Sequence, residues 1–400
     1  MKKKYSIIFV IVAIFFFLFS VYSFAKVVRG VSDSEIRIGV IYDQTGPATP
    51  VTVPCSKAFK NYFTWVNNKG GINGRKIKLI IEDDRYAIPA TISAFKKLLL
   101  KDKVLAILGP ASSHGIKALT SNIMKNKMPH VIPPSSDAVV IPPKRYLFAN
   151  GPTYEDQVQL LFQYITRDLK KKNPQIAFVY NDTEHGKHGL RAMNKYKGKY
   201  GIRIKTIEIV NPGTLDATSQ ALSIRRKKPD LVLMHLLVDN SIVLMKSARK
   251  MGITNLPFLG TQYTCAEETV KVGGKASENY KGLAIYSSWR DDNPGCAEMR
   301  RETLKLHPGT EKPNRPKHYT QGWGDASILT EGIKRAGRNL NGENLINALE
   351  SIKNFDMRGL CGRVTFGPKD HKGSKFIKMY KADVANGWLE PISDWIKLEK

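Results

Sequence analysis

The chain has 400 residues, carries 63 Lys and Arg against 35 Asp and Glu, and has a formal net charge of +28 at pH 7. Hydrophobic residues make up 42% and charged residues 24%, a mix that excludes a disordered chain, a collagen-like fibre and a polytopic membrane protein. A chain this long divides into domains rather than enlarging one core, so two lobes are expected, while the basic excess alone suggests nucleic acid or an anionic membrane surface as partner.

Met1 is followed by Lys2, Lys3 and Lys4, an apolar run from Ile7 to Phe19, and Ser23 and Ala25 in a small-x-small pattern. This is the layout of a secretory signal peptide over 1–25, cleaved after Ala25, with an apolar run too short to span a bilayer comfortably. The alternative is an uncleaved anchor extended by Val21, Tyr22 and Phe24. No cysteine follows the cleavage point to take a lipid. Export removes nucleic acid from the expected partners.

From Glu35 onward strand-like and helix-like stretches alternate. Ile36, Ile38 and Val40 alternate as a strand, Cys55 to Asn67 has helical spacing, and Lys76 to Asp83 is a strand again. A helix over Pro89–Leu100 leads to a strand over Val104–Leu108. Then come helix Ile116–Lys125, strand His130–Ile132, helix Glu155–Asp168 and strand Ile176–Tyr180. Helix Gly189–Lys199, strand Arg203–Val210, helix Ala217–Arg226, strand Leu231–His235 and helix Ser241–Met251 follow. Apolar strands alternating with helices predict βαβ units and parallel sheets covered on both faces, hence an α/β fold of doubly wound lobes.

In such sheets ligands lie beyond the carboxyl ends of the strands. The loops there are Asp43-Gln44-Thr45-Gly46-Pro47, Gly109-Pro110-Ala111-Ser112-Ser113-His114, Ser135-Ser136-Asp137, Asn181 to Gly186, and Gly260-Thr261-Gln262-Tyr263. Hydroxyl side chains and backbone amides at a helix start form an anion-receiving nest suited to a carboxylate. A serine before a helix is equally an ordinary N-cap. Cys55, Cys265, Cys296 and Cys361 lie in the exported part, so structural disulfides are expected ahead of a metal site, with all three pairings open. His185 and His188 without a placed carboxylate are a weak metal signal, and a solvated loop is the plainer account. The run Gly70-Gly71-Ile72-Asn73-Gly74-Arg75 follows a helix and precedes a strand, so it is a helix stop and turn, not a dinucleotide fingerprint. Neither a P-loop nor a Gly-x-Ser-x-Gly elbow is present.

Taken together, Ile38-Gly39-Val40 with Thr45-Gly46-Pro47, the stretch from Asn67 to Arg75, Asp83-Asp84 followed by Pro89, Ile107-Leu108-Gly109 with Ser112-Ser113, and Gly322-Trp323 with Ala326 carry a resemblance. The chain resembles the periplasmic substrate-binding proteins of branched-chain amino acid ABC transporters, the leucine/isoleucine/valine-binding family, over essentially all of its mature length. The resemblance implies a type I periplasmic binding fold, with two Rossmann-like lobes joined by a multi-strand hinge and closing over a ligand. By analogy lobe I holds 26–150 plus 284–350 and lobe II 151–283 plus 351–400. It implies a monomeric periplasmic binder with no catalytic residues, cofactor or metal, whose partners are a small carboxylate ligand and the permease and ATPase of an importer. A sensor or receptor subunit of the same fold is the alternative; the lack of a transmembrane segment after Trp395 favours a stand-alone binder.

Carried over by position, Ser113 matches the family serine that holds the ligand carboxylate, with Ala111 and Ser112 completing its loop. Ser135 and Ser136 match a second ligand loop, and Tyr319 an aromatic near the side-chain pocket, with core packing as its plain alternative. The departures are Gln262, where the amino-acid binders carry an acid that pairs with the ligand ammonium, His185 in place of a tyrosine, and Leu237 or Val238 in place of another. Burying an unpaired ammonium costs several kcal/mol. The expected ligand thus keeps a carboxylate and lacks an α-amino group, as in an aromatic or aliphatic acid, with His185 or His235 facing its carboxylate or a ring substituent.

Overall fold

A computed structural model describes residues 28–306 and 314–399; the signal peptide expected over 1–25 lies outside them. Lobe I is built on β1 (Glu35–Ile41), β2 (Lys76–Glu82), β3 (Ala106–Leu108), β4 (His130–Ile132) and β5 (Leu147–Ala149), all parallel, in the order β2-β1-β3-β4-β5. Ile36, Ile38, Val40 and Ile41 are all buried, because helices returning from each parallel crossover cover both faces of the sheet.

Lobe II repeats the plan. β6 (Gln175–Tyr180), β7 (Arg203–Ile209), β8 (Leu231–His235), β9 (Phe258–Gly260) and β10 (Tyr280–Ala284) run parallel. β11 (Phe376–Asp383) is antiparallel to β10, and β12 (Trp388–Pro391) and β13 (Ile396–Lys397) pair with β11. The order is β12-β11-β10-β9-β8-β6-β7. In both sheets the chain turns back beside its first strand, between β1 and β3 and between β6 and β8. The crevices at these reversals are where a doubly wound sheet leaves room for a ligand. Helices Pro294–Leu306 and Lys317–Ala336 pack on helix Thr49–Asn68 of lobe I, and Gly342–Glu350 packs on Lys317–Ala336. The chain therefore passes between the two sheets at 150–153, 285–293 and 351–375.

Helix Thr49–Asn68 begins before the expected Cys55. Pro50 stands in its first turn, where a proline costs no hydrogen bond, and Pro54 forfeits only one. The expected disulfides are corrected: all four cysteines are free and buried. Each thiol is absorbed where it stands. Cys55 Sγ lies 3.0 Å from the His318 carbonyl, Cys296 Sγ 3.4 Å from that of Ser288 and Cys361 Sγ 3.0 Å from that of Gly362, while Cys265 packs in the lobe II core. Burial raises the Cys265 and Cys296 thiols to about 12, so they behave as small core residues.

Candidate functional site

The first wall of the site comes from the loop after β1. The Asp43 carboxylate accepts the backbone N–H of Thr45 (3.2 Å), Gly46 (2.5 Å) and Ala48 (2.7 Å), and the Thr52 hydroxyl donates to the Asp43 carbonyl at 2.5 Å. The loop is thereby folded onto the start of helix Thr49–Asn68, which brings Tyr42, Ala48, Val51 and Thr52 to one surface. Its amides are consumed by Asp43 and, for Gln44, by Asp83 at 2.8 Å, so this loop is not the anion nest that its composition suggests. Tyr86 joins the wall with a backbone φ of 57°, its N–H held by the Asp84 carboxylate at 3.2 Å, and Ala111 and Pro133 follow β3 and β4.

Lobe II supplies the opposite wall. Thr153 caps helix Tyr154–Gln163 through a capping box with Asp156, which fixes Tyr154 at the helix start. Thr183 caps helix Glu184–Tyr196 and places His185 in its first turn. Leu237 follows β8, and Tyr263 follows β9. Two of these residues reach across. Tyr154 N–H donates to the Ser135 carbonyl at 3.0 Å, Tyr154 OH and Ser113 Oγ share a hydrogen bond of 2.9 Å, and Tyr263 OH donates to the Pro134 carbonyl at 2.8 Å. Val51 from lobe I also packs with Tyr154, Val238, Ile242, Tyr263 and Ala266 from lobe II. The space left between the walls is about 30 Å³, room for a water or two, so the lobes must part to admit anything larger.

The cavity is aromatic and uncharged. None of the described residues lining it is Asp, Glu, Lys or Arg. Burial lifts the Tyr154 phenol to about 12, with the Ser113 and Ser135 hydroxyls pulling it back, and raises Tyr42, Tyr86 and Tyr263 as well. Burial first, then His235 and His188, hold His185 well below its usual pKa, so its imidazole is neutral. That ring stacks on His235 at a centroid distance of 4.0 Å, and its Nε2 has no hydrogen-bond partner among the described residues. His235 is itself satisfied by Thr261 Oγ1 (3.0 Å) and the His185 carbonyl (3.1 Å).

The expected site residues divide into groups. Ala111 and His185 line the cavity, whereas Ser113 and Ser136 line a neighbouring recess. Ser112 spends its hydroxyl on capping helix Ser113–Lys125, accepting the Gly115 N–H at 3.1 Å. Ser135 is buried beside Tyr154 and helps to lower its phenol, and its hydroxyl has no hydrogen-bond partner among the described residues. Gln262 does not line the cavity. Its amide bonds Gln321 Oε1 (3.2 Å) and the Ile285 N–H (2.8 Å), and its backbone meets Gln157 and Lys317. Tyr319 also stands apart, in the lobe I core, where its hydroxyl meets Asn61 and Thr303 at 2.8 Å. The residues that sequence patterning missed are Tyr42, Thr52, Tyr86, Tyr154 and Tyr263. Tyr42 and Tyr263 lie in or beside loops already singled out, and only their neighbours were chosen. Among the described residues no group of three or more His, Cys, Asp and Glu is placed to hold a metal ion, and no helix is long and apolar enough to cross a membrane.

The chain is similar to known proteins over nearly all of its described length. The family model for periplasmic binding proteins matches residues 35–387. The Leu/Ile/Val-binding protein BraC3 of Rhizobium johnstonii is 22% identical over 353 residues, covering 87% of this chain and 92% of that protein. Among solved structures, a branched-chain amino acid ABC transporter protein from Thermus thermophilus with bound valine superposes with a TM-score of 0.84 at 21% identity, covering 92% of this chain and 98% of that one. A fatty acid ABC transporter substrate-binding protein from Thermomonospora curvata superposes with a TM-score of 0.82 at 24% identity, covering 94% and 95%.

Proposed function

The chain belongs to the periplasmic binding protein family, proteins that bind solutes rather than transform them, and on that premise we propose that it captures a small carboxylic acid lacking an α-amino group for an ABC importer. The observation that carries this is the cavity wall: tyrosines, one neutral histidine, a threonine and apolar side chains, without an acid to balance an ammonium. An amino acid closed into that space leaves a buried cation unpaired, at a cost of several kcal/mol. An apolar or aromatic body instead meets the ring faces it prefers. One structural neighbour is named for fatty acids, which are carboxylic acids without an amine, and another for branched-chain amino acids.

In this reading the lobes are 26–150 plus 284–350 and 151–283 plus 351–400. They part to admit the acid, and contacts from both walls then favour the closed form. The protein works as a periplasmic monomer, and a permease with its ATPase receives the closed form. The test is titration calorimetry of the mature protein with benzoate, hexanoate, leucine and valine. Benzoate or hexanoate is expected to bind and the two amino acids to bind at least tenfold more weakly. Preferential binding of leucine or valine would overturn the proposal.

A further inference from the structure

The cleft lies beyond the carboxyl ends of the strands, so the opposite pole of lobe II is where its strands begin. Three segments lead there into β6, β7 and β8, which lie side by side in the order β8-β6-β7. Backbone bonds tie them together: the Arg203 N–H donates to the Pro174 carbonyl at 2.9 Å, the Asp230 N–H to the Gln175 carbonyl at 2.6 Å, and the Gln175 N–H to Asp230 Oδ2 at 2.7 Å. Neighbouring strands lie about 4.8 Å apart, so the strand starts fall within roughly 10 Å, about one screening length at physiological salt. The segments carry three cations at 170–172, four at 197–205 and four at 225–228, with no acid among them. The acids that flank them in the chain are already engaged, Asp168 by Arg167 at 3.4 Å and Asp230 by the Gln175 N–H. None of these cations has an ion-pair partner among the described residues, and Lys172, Arg203, Arg226 and Lys227 are exposed. Like charges gathered without counter-charges repel one another and work against the compact state.

We infer that this pole docks on the anionic phospholipid surface of a bilayer. Headgroup phosphates form a broad field of negative charge that suits cations carried on separate segments, whereas a small anion needs a concave site. The edge of the sheet adds a second feature. β7 is its last strand, and Ile207 and Ile209, which follow Lys205 there, are 45% and 41% exposed. A bilayer interface accepts apolar side chains together with neighbouring cations, while a soluble polyanion takes only the cations. A second copy of the chain in a two-fold contact would set the same cations against each other. The inference rests on a periplasmic location and not on which ligand the cleft takes, so its failure would leave the proposed ligand class untouched. Because the pole points away from the cleft, the docked protein keeps its cleft open to solute while staying near the membrane.

The test is co-sedimentation of the mature chain with vesicles of phosphatidylcholine alone or with about one third phosphatidylglycerol, in about 0.05 M and about 0.5 M NaCl. Two variants accompany wild type: Lys172→Gln/Arg203→Gln/Arg226→Gln/Lys227→Gln at the pole, and Lys57→Gln/Lys60→Gln/Lys96→Gln/Lys125→Gln, which removes the same charge from exposed positions of lobe I. Wild type and the lobe I variant are expected to sediment with the phosphatidylglycerol vesicles at low salt, and to stay in solution with phosphatidylcholine or at high salt. The pole variant is expected to bind at least about tenfold more weakly. If a thermal melt shows the pole variant to be destabilised, Arg226→Gln/Lys227→Gln decides in its place. Equal losses in the two quadruple variants would assign the binding to net charge and overturn the inference, as would wild type that does not respond to phosphatidylglycerol. Wild type that ignores the vesicles yet binds soluble polyglutamate would give the pole to an acidic protein instead and overturn it too.

Discussion

At the scale of single residues, the protein depends on imidazoles kept neutral by burial. His130 is wholly buried, with Nδ1 2.7 Å from the Gly109 carbonyl at the edge of the ligand loop. Burial holds its folded-state pKa at about 4 against 6.5. As pH falls the unfolded chain therefore takes up the proton first. The stability contributed by neutral His130 is whole above pH 6.5 and is lost progressively between 6.5 and 4. At 1.36 kcal/mol per pKa unit, the loss is about 3 kcal/mol. His130→Asn, which keeps a short donor for the Gly109 carbonyl, is expected to flatten the fall in stability between pH 6.5 and 4 relative to wild type. Urea unfolding at stepped pH measures it, and parallel profiles for the two proteins would disprove it. The difference is the quantity to compare, because Asp325, raised by burial to about 8, acts with the opposite sign over this range.

Residue choice within the loops was only partly legible. Strand alternation pointed to the loops after β1, β3, β6 and β9, yet neighbouring residues there point in different directions. Tyr263 enters the cavity while Gln262, one position earlier, turns into the hinge and bonds Gln321. Ser112 caps a helix while Ser113 reaches Tyr154. Spacing cannot distinguish such pairs, because a loop has no period from which to read direction.

At the scale of elements, strand positions followed from apolar runs: Leu231–His235 and His130–Ile132 stand where the pattern puts them. Helix starts followed only in part: Ile88, Tyr154 and Thr218 fall within one residue of the expected starts, while others lie three to six residues earlier. Helix Glu184–Tyr196 begins at its Thr183 cap, five residues before the expected Gly189, because polar first-turn residues carry no apolar period. Gly189 lies inside that helix for a steric reason. A Cβ built there comes within 2.3 Å of His235 Cδ2, so the glycine lets β8 bring His235 against the helix and stack it on His185. Gly189→Ala is expected to destabilise the protein by about 1–3 kcal/mol, as overpacked cores do, and the cost is expected to be smaller in a His235→Ala background. Chemical denaturation of the four proteins of this cycle measures the coupling; strictly additive effects would remove the steric account.

At the scale of the whole molecule, closure is held by a few contacts between the lobes, among them the Tyr263 hydroxyl on the Pro134 carbonyl. Tyr263→Phe deletes that bond at a net cost of about 1 kcal/mol to the closed form. The ligand-free ensemble is then expected to shift toward open lobes, with a larger radius of gyration in small-angle scattering and roughly fivefold weaker acid binding. Unchanged scattering and affinity would show that the bond does not contribute to closure.

The sequence by itself determined the α/β class, the doubly wound plan and the loops that carry the site, because burial on both faces of a parallel sheet writes continuous apolar runs into the chain and leaves strand ends marked by Gly, Ser and Asp. Its expectation of a ligand without an amine rested on Gln262, which turns into the hinge and does not line the cavity. The tertiary structure alone decided which side chains form the walls, that the cysteines are packed separately rather than bridged, and that three basic segments meet at one pole of lobe II. Tyr42, Tyr154 and Tyr263 are far apart in the chain, and nothing in local spacing encodes which residues face one another across two lobes.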